Sequence, residues 1–377
     1  MPSYIDSQDE DLATSYLHIP DMLASWPWQR KINPFYEEVS AESNAWVRSF
    51  SPFTAKSQHS FERCDLGLLA SLVFPDARRD QLRTANDLVN IFFVFDEYTD
   101  VESAPTVRGI VDVCTDAMHN PSKPRPEKSS SVKWSDSKHV APPISPYNFV
   151  LIASDCVPPT RFWERGRRSV SDQTGPFVAS FVAYMNAVVA QAEALDRGGF
   201  LTVDAFLAIR REDAGARPFY TLGALFLSIP DHFHDDPLHA RMIGLGCDLV
   251  AIDNDMVSYN REQASGNGDF NFITLTMHHH GLTLHDAARR LVEKVTELDA
   301  QFMQCHSEFC AAVGEASGGT AAIQWQEYMD HVQRECVSGV LELELRAVRL
   351  IPKKMRNANL RENQVDVFLM EEGLAKV

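Results

Sequence analysis

The chain has 377 residues, a formal net charge of −17, 45% hydrophobic and 23% charged side chains, the composition of an ordinary globular protein. So large an acidic excess, with no dense basic block, excludes a nucleic-acid binder and disfavours docking on an anionic membrane. The seven cysteines are odd in number and scattered, without a Cys-x-x-Cys pair, which argues against a disulfide framework or thiolate zinc site and for a reducing, cytoplasmic setting.

Residues 1–20 are polar and acidic, carry no apolar signal-peptide core, and read as a mobile terminus. Prolines 27, 34 and 52 punctuate a helical pattern (Tyr36, Val39, Ala45, Trp46, Phe50), and a second apolar segment covers 64–74. A helix is predicted over about 76–100, and another over 107–118. The proline-rich stretch that follows, with its Ser129-Ser130-Ser131 run, reads as a surface-loop insertion at about 119–159. Structureless loops beyond about 15 residues are uncommon inside compact domains. Helical patterning resumes over 177–196, 202–209, 218–228, 236–262, from 283 past 299, and over 321–350. A polar tail, 352–377, carries Lys353, Lys354 and Arg356. Strand signals are essentially absent, and no stretch supplies 18 uninterrupted apolar residues. The expected class is all-α, one large helical bundle over 21–351.

Two of these helices carry an anomaly. In the first, residues three or four apart form the stripe Ala85, Leu88, Phe92, Asp96, Asp100, so a face that begins as core ends in carboxylates. Buried carboxylates lose several kcal/mol of hydration unless a cation compensates them, and neighbours one turn apart repel. Either a cation sits there, or the helix emerges into solvent after Phe95. In the helix over 236–262, Ile243, Cys247 and Val250 or Ala251 continue into Asn254, Ser258 and Glu262, which set three oxygen donors on one face. Two oxygen-lined faces in one bundle invite a shared hard cation, and Mg²⁺, which keeps waters and is completed by substrate phosphates, suits such donors.

Asp96-Glu-Tyr-Thr-Asp100 resembles the aspartate-rich motif of class I terpene synthases. Asn254-Asp-Met-Val-Ser258-Tyr-Asn-Arg261-Glu262 resembles their second, asparagine–serine–glutamate motif. The order and separation of the two, with the flanks Phe162-Trp-Glu-Arg and Asn120-Pro-Ser-Lys-Pro-Arg-Pro, are similar to the basidiomycete-type sesquiterpene cyclases across most of residues 50–350. The resemblance implies a class I terpenoid synthase bundle with a central active-site cavity and two facing motifs. It implies three Mg²⁺ ions bridging them to the diphosphate of a linear prenyl substrate. Asp96, Asn254, Ser258 and Glu262 would be ligands, and Asp100 would act more indirectly. Arg210-Arg-Glu-Asp213-Ala214-Gly215 looks like the family's broken-helix segment, with Arg210 as diphosphate sensor and Asp213 and Ala214 as linker and effector. Arg261 is the basic position within the second motif, and Leu88 and Phe92 point towards the prenyl chain.

Two features depart from the family pattern. Its closing Arg-Tyr pair aligns with Arg349-Leu350, so the arginine is kept and the phenol is not. Family members also cross from Lys-Pro-Arg-Pro-Glu to Phe-Trp-Glu-Arg by a shorter connection, which marks about 127–157 as extra. Histidines 232, 234 and 278–280 lie where helices begin or end and lack zinc-ligand spacing. The implied function is Mg²⁺-dependent cyclisation of farnesyl diphosphate. The competing readings are an inactive prenyl-diphosphate binder and a chain-elongating prenyl transferase, the latter of which calls for a second aspartate-rich motif.

Overall fold

Side-chain caps fix the starts of four helices among the described residues. The hydroxyls of Thr54 and Thr202 and the side-chain oxygens of Asp236 and Asn271 each accept a backbone N–H from the first turn, satisfying donors that the helix cannot. The computed structural model describes residues 16–18, 31–100, 102–120, 174–230, 234–316, 327–328, 331–332 and 366–368. Among them are eleven α-helices: α1 Tyr36–Ser49, α2 Ala55–Arg63, α3 Leu66–Val73, α4 Arg79–Thr99, α5 Ala104–His119, α6 Gly175–Arg197, α7 Val203–Asp213, α8 Ala216–Phe226, α9 Pro237–Ser265, α10 Phe272–His280 and α11 Leu284–Ala316. A three-residue parallel pairing of β1, Tyr16–His18, with β2, Asp366–Phe368, joins the two ends of the chain without adding a layer. The expected insertion beyond Asn120, the helix over 321–350 apart from its four described residues, and Arg349 and Leu350 lie outside the described residues.

The all-α expectation holds, with two short helices unforeseen. Helix α2 buries a single residue, Phe61, and so leaves no periodic stripe. Helix α10 is too short, at nine residues, for its period to stand out. Helix α6 is long and apolar enough to cross a membrane by length and composition. Here it is a core helix: Phe177, Phe181, Tyr184, Met185 and Val189 are buried and it packs on α5, α7 and α8.

Two apolar clusters make up the interior. One gathers α1, α3, α4, α5 and α6, the other α7, α9, α10 and α11. Helix α8 belongs to both: Phe219, Leu222 and Leu225 face the first, Ala216, Tyr220 and Ala224 the second. Buried polar side chains of α4 pair with α1 and with each other. The buried Asp87 accepts from Ser43 Oγ at 2.6 Å and Arg83 Nε at 2.8 Å, and Asn90 Nδ2 donates to Ser43 Oγ at 2.8 Å. These bonds fix the register of α4 against α1 and hence the placing of its acidic end.

Candidate active site

The acidic end of α4 opens onto a cavity of about 360 Å³ between the two clusters, within the roughly 300–1,000 Å³ usual for small-molecule sites. Asp96, Glu97 and Asp100 line one side of its mouth, and Asn254, Arg261 and Glu262 of α9 the other. The break between α7 and α8 supplies Arg210, Asp213, Ala214 and Gly215. Phe92, Phe93, Val89, Leu69, Val73, Phe219 and Val250 give the apolar walls. Nine of the twelve residues singled out from sequence thus line one cavity. Ser258 is buried just behind and donates to Glu262 Oε1 at 2.5 Å, and Arg349 lies outside the described residues.

Leu88 is the correction. It is fully buried in the first cluster and does not line the cavity; Val89 does. At 100° per residue, seven residues bring a side chain back to within about 20° of the starting face, whereas eight leave it about 80° away. Val89, not Leu88, therefore shares the face of Asp96.

The carboxylates are held against their charge. Asp96 is pushed up to about 8 by burial and by Asp100, against a hydrogen bond donated by Tyr184 Oη at 2.9 Å. Glu262 is raised to about 7 by burial and Asp255, opposed by Arg210 and by the Ser258 hydroxyl. Asp100 stands at the exposed rim of a concave mouth. The surrounding protein strips enough water to lift it to about 6, while Arg261 pulls the other way. Arg261 also acts on Asp96 and Glu262, so one cation at the mouth serves both walls.

Arg210 is the hub of the second wall. Its Nε donates to Asp255 Oδ1 at 2.8 Å, Nη1 to Asp213 Oδ1 at 2.7 Å and Nη2 to Asn254 Oδ1 at 2.6 Å. Burial works against its charge, but Asp255, Asp213 and Glu262 outweigh that and keep it firmly cationic. Asp213 Oδ2 is buried and accepts no hydrogen bond; burial lifts this carboxyl to about 6 despite Arg210. The helix break behind it depends on Gly215, whose φ is +72°. A Cβ there would also stand 3.2 Å from the Phe92 ring. Gly215→Ala is expected to cost about 1–2 kcal/mol for the left-handed backbone alone and to displace Phe92, which urea denaturation and turnover would both register.

Several members of the site gave no sequence signal of their role. Asp255 lies inside the second motif, yet it turns away from the cavity to grip Arg210 and accepts from Phe272 N at 2.8 Å. Asn271 caps α10, and its Nδ2 also donates to Glu262 Oε2 at 2.8 Å. Tyr184 comes from α6, 88 residues from Asp96. Asn267 Nδ2 reaches the Asp100 carbonyl at 3.4 Å and ties the rims together. The histidines at the end of α10 serve packing: His279 Nε2 donates to the Leu201 carbonyl and His278 stacks on Phe200.

These donors fit a hard divalent cation. All are oxygens, from carboxylate, amide and hydroxyl groups, and the carboxyls of Asp96, Asp100 and Glu262 are raised first by burial and then by their carboxylate neighbours. Among the described residues no three His, Cys, Asp or Glu side chains converge to hold an ion by themselves. The donors are divided between two walls, so an ion would need further oxygens from water or ligand, the habit of Mg²⁺. The raised carboxyls also set a pH dependence. Between about pH 4 and pH 8 the metal-free native state holds protons on Asp96 that the unfolded chain has lost, so stability falls as pH rises through that window. Thermal melts in EDTA are expected to show this decline, and Mg²⁺ to flatten it.

Comparison with known proteins agrees with this arrangement. Residues 87–300 match the family model described as terpene synthase family 2, C-terminal metal binding. Sesquiterpene synthase 14 of Postia placenta is 39% identical over 288 residues, 76% of each chain. Delta(6)-protoilludene synthase 8 of the same fungus is 35% identical over 366 residues, 93% of this chain and 98% of its own. A solved structure of a-eudesmol synthase superposes with a TM-score of 0.69 at 17% identity, over 85% of this chain and 97% of that one, which shows the shared fold. With a match over more than half its length and a relative aligned nearly end to end, the chain belongs to terpene synthase family 2 and has the class I terpene synthase fold.

Proposed function

We propose that the chain is a sesquiterpene synthase that ionises farnesyl diphosphate, cyclises the freed prenyl chain and releases diphosphate. One observation carries the reading: an oxygen-donor and arginine mouth stands over an apolar, aromatic interior in a single cavity. Relatives named sesquiterpene and Delta(6)-protoilludene synthases support it. Asp96, with Asp100 in a more indirect role, and Asn254, Ser258 and Glu262 would hold Mg²⁺, three ions by the family resemblance. The metal supplies Lewis-acid neutralisation of the charge that gathers on the departing diphosphate.

The protein's own groups do the rest. Arg210 and Arg261 lie at the mouth with guanidinium forks suited to phosphate oxygens. Arg210 now holds Asn254 Oδ1; turning towards a diphosphate would release that oxygen and pull on Asp213 and the Ala214–Gly215 break, coupling binding to a shift in the cavity wall. Arg349 is proposed to close the mouth from the C-terminal side. Inside, Phe92 packs on Tyr184 at 4.2 Å and edge-on to Phe219 at 5.7 Å. Such rings attract a carbocation by about 0.5–2 kcal/mol each and keep water from it. The odd number and scattered placing of the cysteines, without a Cys-x-x-Cys pair, support work in the reducing cytoplasm.

Incubation with farnesyl diphosphate and Mg²⁺ followed by gas chromatography tests the reading. A cyclic hydrocarbon or alcohol is expected, lost on chelation with EDTA and restored by Mg²⁺. Longer prenyl diphosphates would instead show a chain-elongating transferase, and binding without turnover an inactive prenyl-diphosphate binder.

A further inference from the structure

We propose that His331 is a positioning residue that fixes part of the apolar cavity wall and thereby governs how the prenyl chain folds before ring closure, an inference that rests on the functional reading above. The side chain is 5% exposed and lies far in sequence from both motifs. Its Nδ1 is 3.1 Å from the Val73 carbonyl at the end of α3, and its Nε2 is 3.3 Å from the Phe219 carbonyl in α8. Carbonyl oxygens only accept and a neutral imidazole carries a single N–H, so the ring donates to one of the two carbonyls and packs against the other. Val73 and Phe219 both line the cavity, so one imidazole ties together the backbones of two wall residues that stand 146 positions apart (219 − 73).

Three further observations show that the surroundings are shaped to the ring. The imidazole stacks on Phe74, with centroids 4.6 Å apart and planes 26° from parallel. Phe74 in turn meets Phe219 at 6.3 Å and Phe226 at 5.3 Å. Gly223, inside α8, faces the ring so closely that a Cβ there would stand 2.1 Å from it. A glycine in a helix interior is unfavourable for the helix, and here its bare backbone is what lets the ring reach Phe219. Tyr328, three residues earlier, shares a 2.9 Å hydrogen bond with His239 Nε2 and belongs to the second apolar cluster. The segment is therefore pinned on one side to the α7–α11 cluster and on the other to the wall made by α3 and α8.

The hydrogen-bond and ring contacts of His331 on Val73, Phe74 and Phe219 lie on the apolar side of the cavity, so its effect is expected there. Close-packed walls transmit a change of one side chain as a change of shape, and the fold of a flexible prenyl chain follows that shape. The test compares two ligands in Mg²⁺ buffer by calorimetry: inorganic diphosphate, which reads the mouth alone, and farnesyl thiolodiphosphate, which reads mouth and wall together. His331→Leu puts an apolar side chain in place and removes the ring N–H donor. It is expected to weaken farnesyl thiolodiphosphate about fivefold, the factor typical of one lost hydrogen bond, with inorganic diphosphate within about twofold of wild type by the same measure. It is also expected to redistribute products from farnesyl diphosphate towards minor or acyclic species. If the leucine variant does not fold, His331→Gln, which keeps a donor near the Nε2 position only, carries the comparison with a smaller change of the same sign. Equal weakening of both ligands, or no change in either, in a variant with wild-type circular dichroism would overturn the proposal. A wild type that binds both ligands but releases no cyclic product would sink the functional reading, and the binding comparison would still decide the case of His331.

Discussion

Asp96→Asn and Glu262→Gln should each reduce turnover of farnesyl diphosphate by about 10²–10³-fold or more, the order lost when one pre-organised charge-stabilising group is removed, while leaving the helical fold intact. The stability half of this expectation follows from the electrostatics. Burial and neighbouring carboxylates raise Asp96 to about 8 and Glu262 to about 7, so near neutral pH the metal-free fold holds a proton on Asp96, and in part on Glu262, that the unfolded chain has released, at a cost in stability. Replacing either with its amide removes that cost. An amide oxygen at position 96 would still accept from Tyr184 Oη, and one at position 262 would still accept from the Ser258 hydroxyl. Thermal melts in EDTA should therefore show the variants at least as stable as wild type at pH 8, with the stabilising effect of Mg²⁺ reduced. A variant that keeps near-wild-type turnover at limiting Mg²⁺ would remove that residue from the proposed ligand set.

Arg210→Ala should be damaging in both respects. The side chain satisfies Asp255, Asp213 and Asn254 together, and Asp255 is fully buried. Removing one partner of a buried ion pair leaves an uncompensated charge, typically worth about 3–5 kcal/mol. Stability should fall accordingly, most at high pH, because a buried Asp255 without its cation is easier to tolerate when protonated. Arg210→Lys separates the two roles. An ammonium retains the charge but not the three-way fork, so much of the stability should return while turnover remains depressed. Urea denaturation beside steady-state kinetics on both variants measures this. A lysine variant with full turnover would show that Arg210 serves the fold and not the diphosphate.

The broken segment around Gly215 shows how far local pattern reached. The Arg210–Gly215 run was legible as a helix break through its resemblance to the family's broken-helix segment, and the left-handed φ at Gly215 is the local geometry of that break. The acidic stripe on α4 was legible from helical spacing, as were Asn254, Ser258 and Glu262, spaced four apart on α9. Leu88 was misplaced by a one-residue drift in helical phase that its apolar neighbours do not reveal.

Sequence alone determined the all-α class, most helix positions, and which oxygen donors share a helix face, because a helix converts spacing of three or four residues into a common direction whatever surrounds it. It could not determine which faces meet. That Tyr184 backs Asp96, that Asp255 turns to Arg210 while Asn254 faces the cavity, and that His331 reaches Val73 are outcomes of packing between elements from 45 to 258 positions apart. Such contacts are decided by how whole helix surfaces interlock, and no short stretch of the chain carries that information.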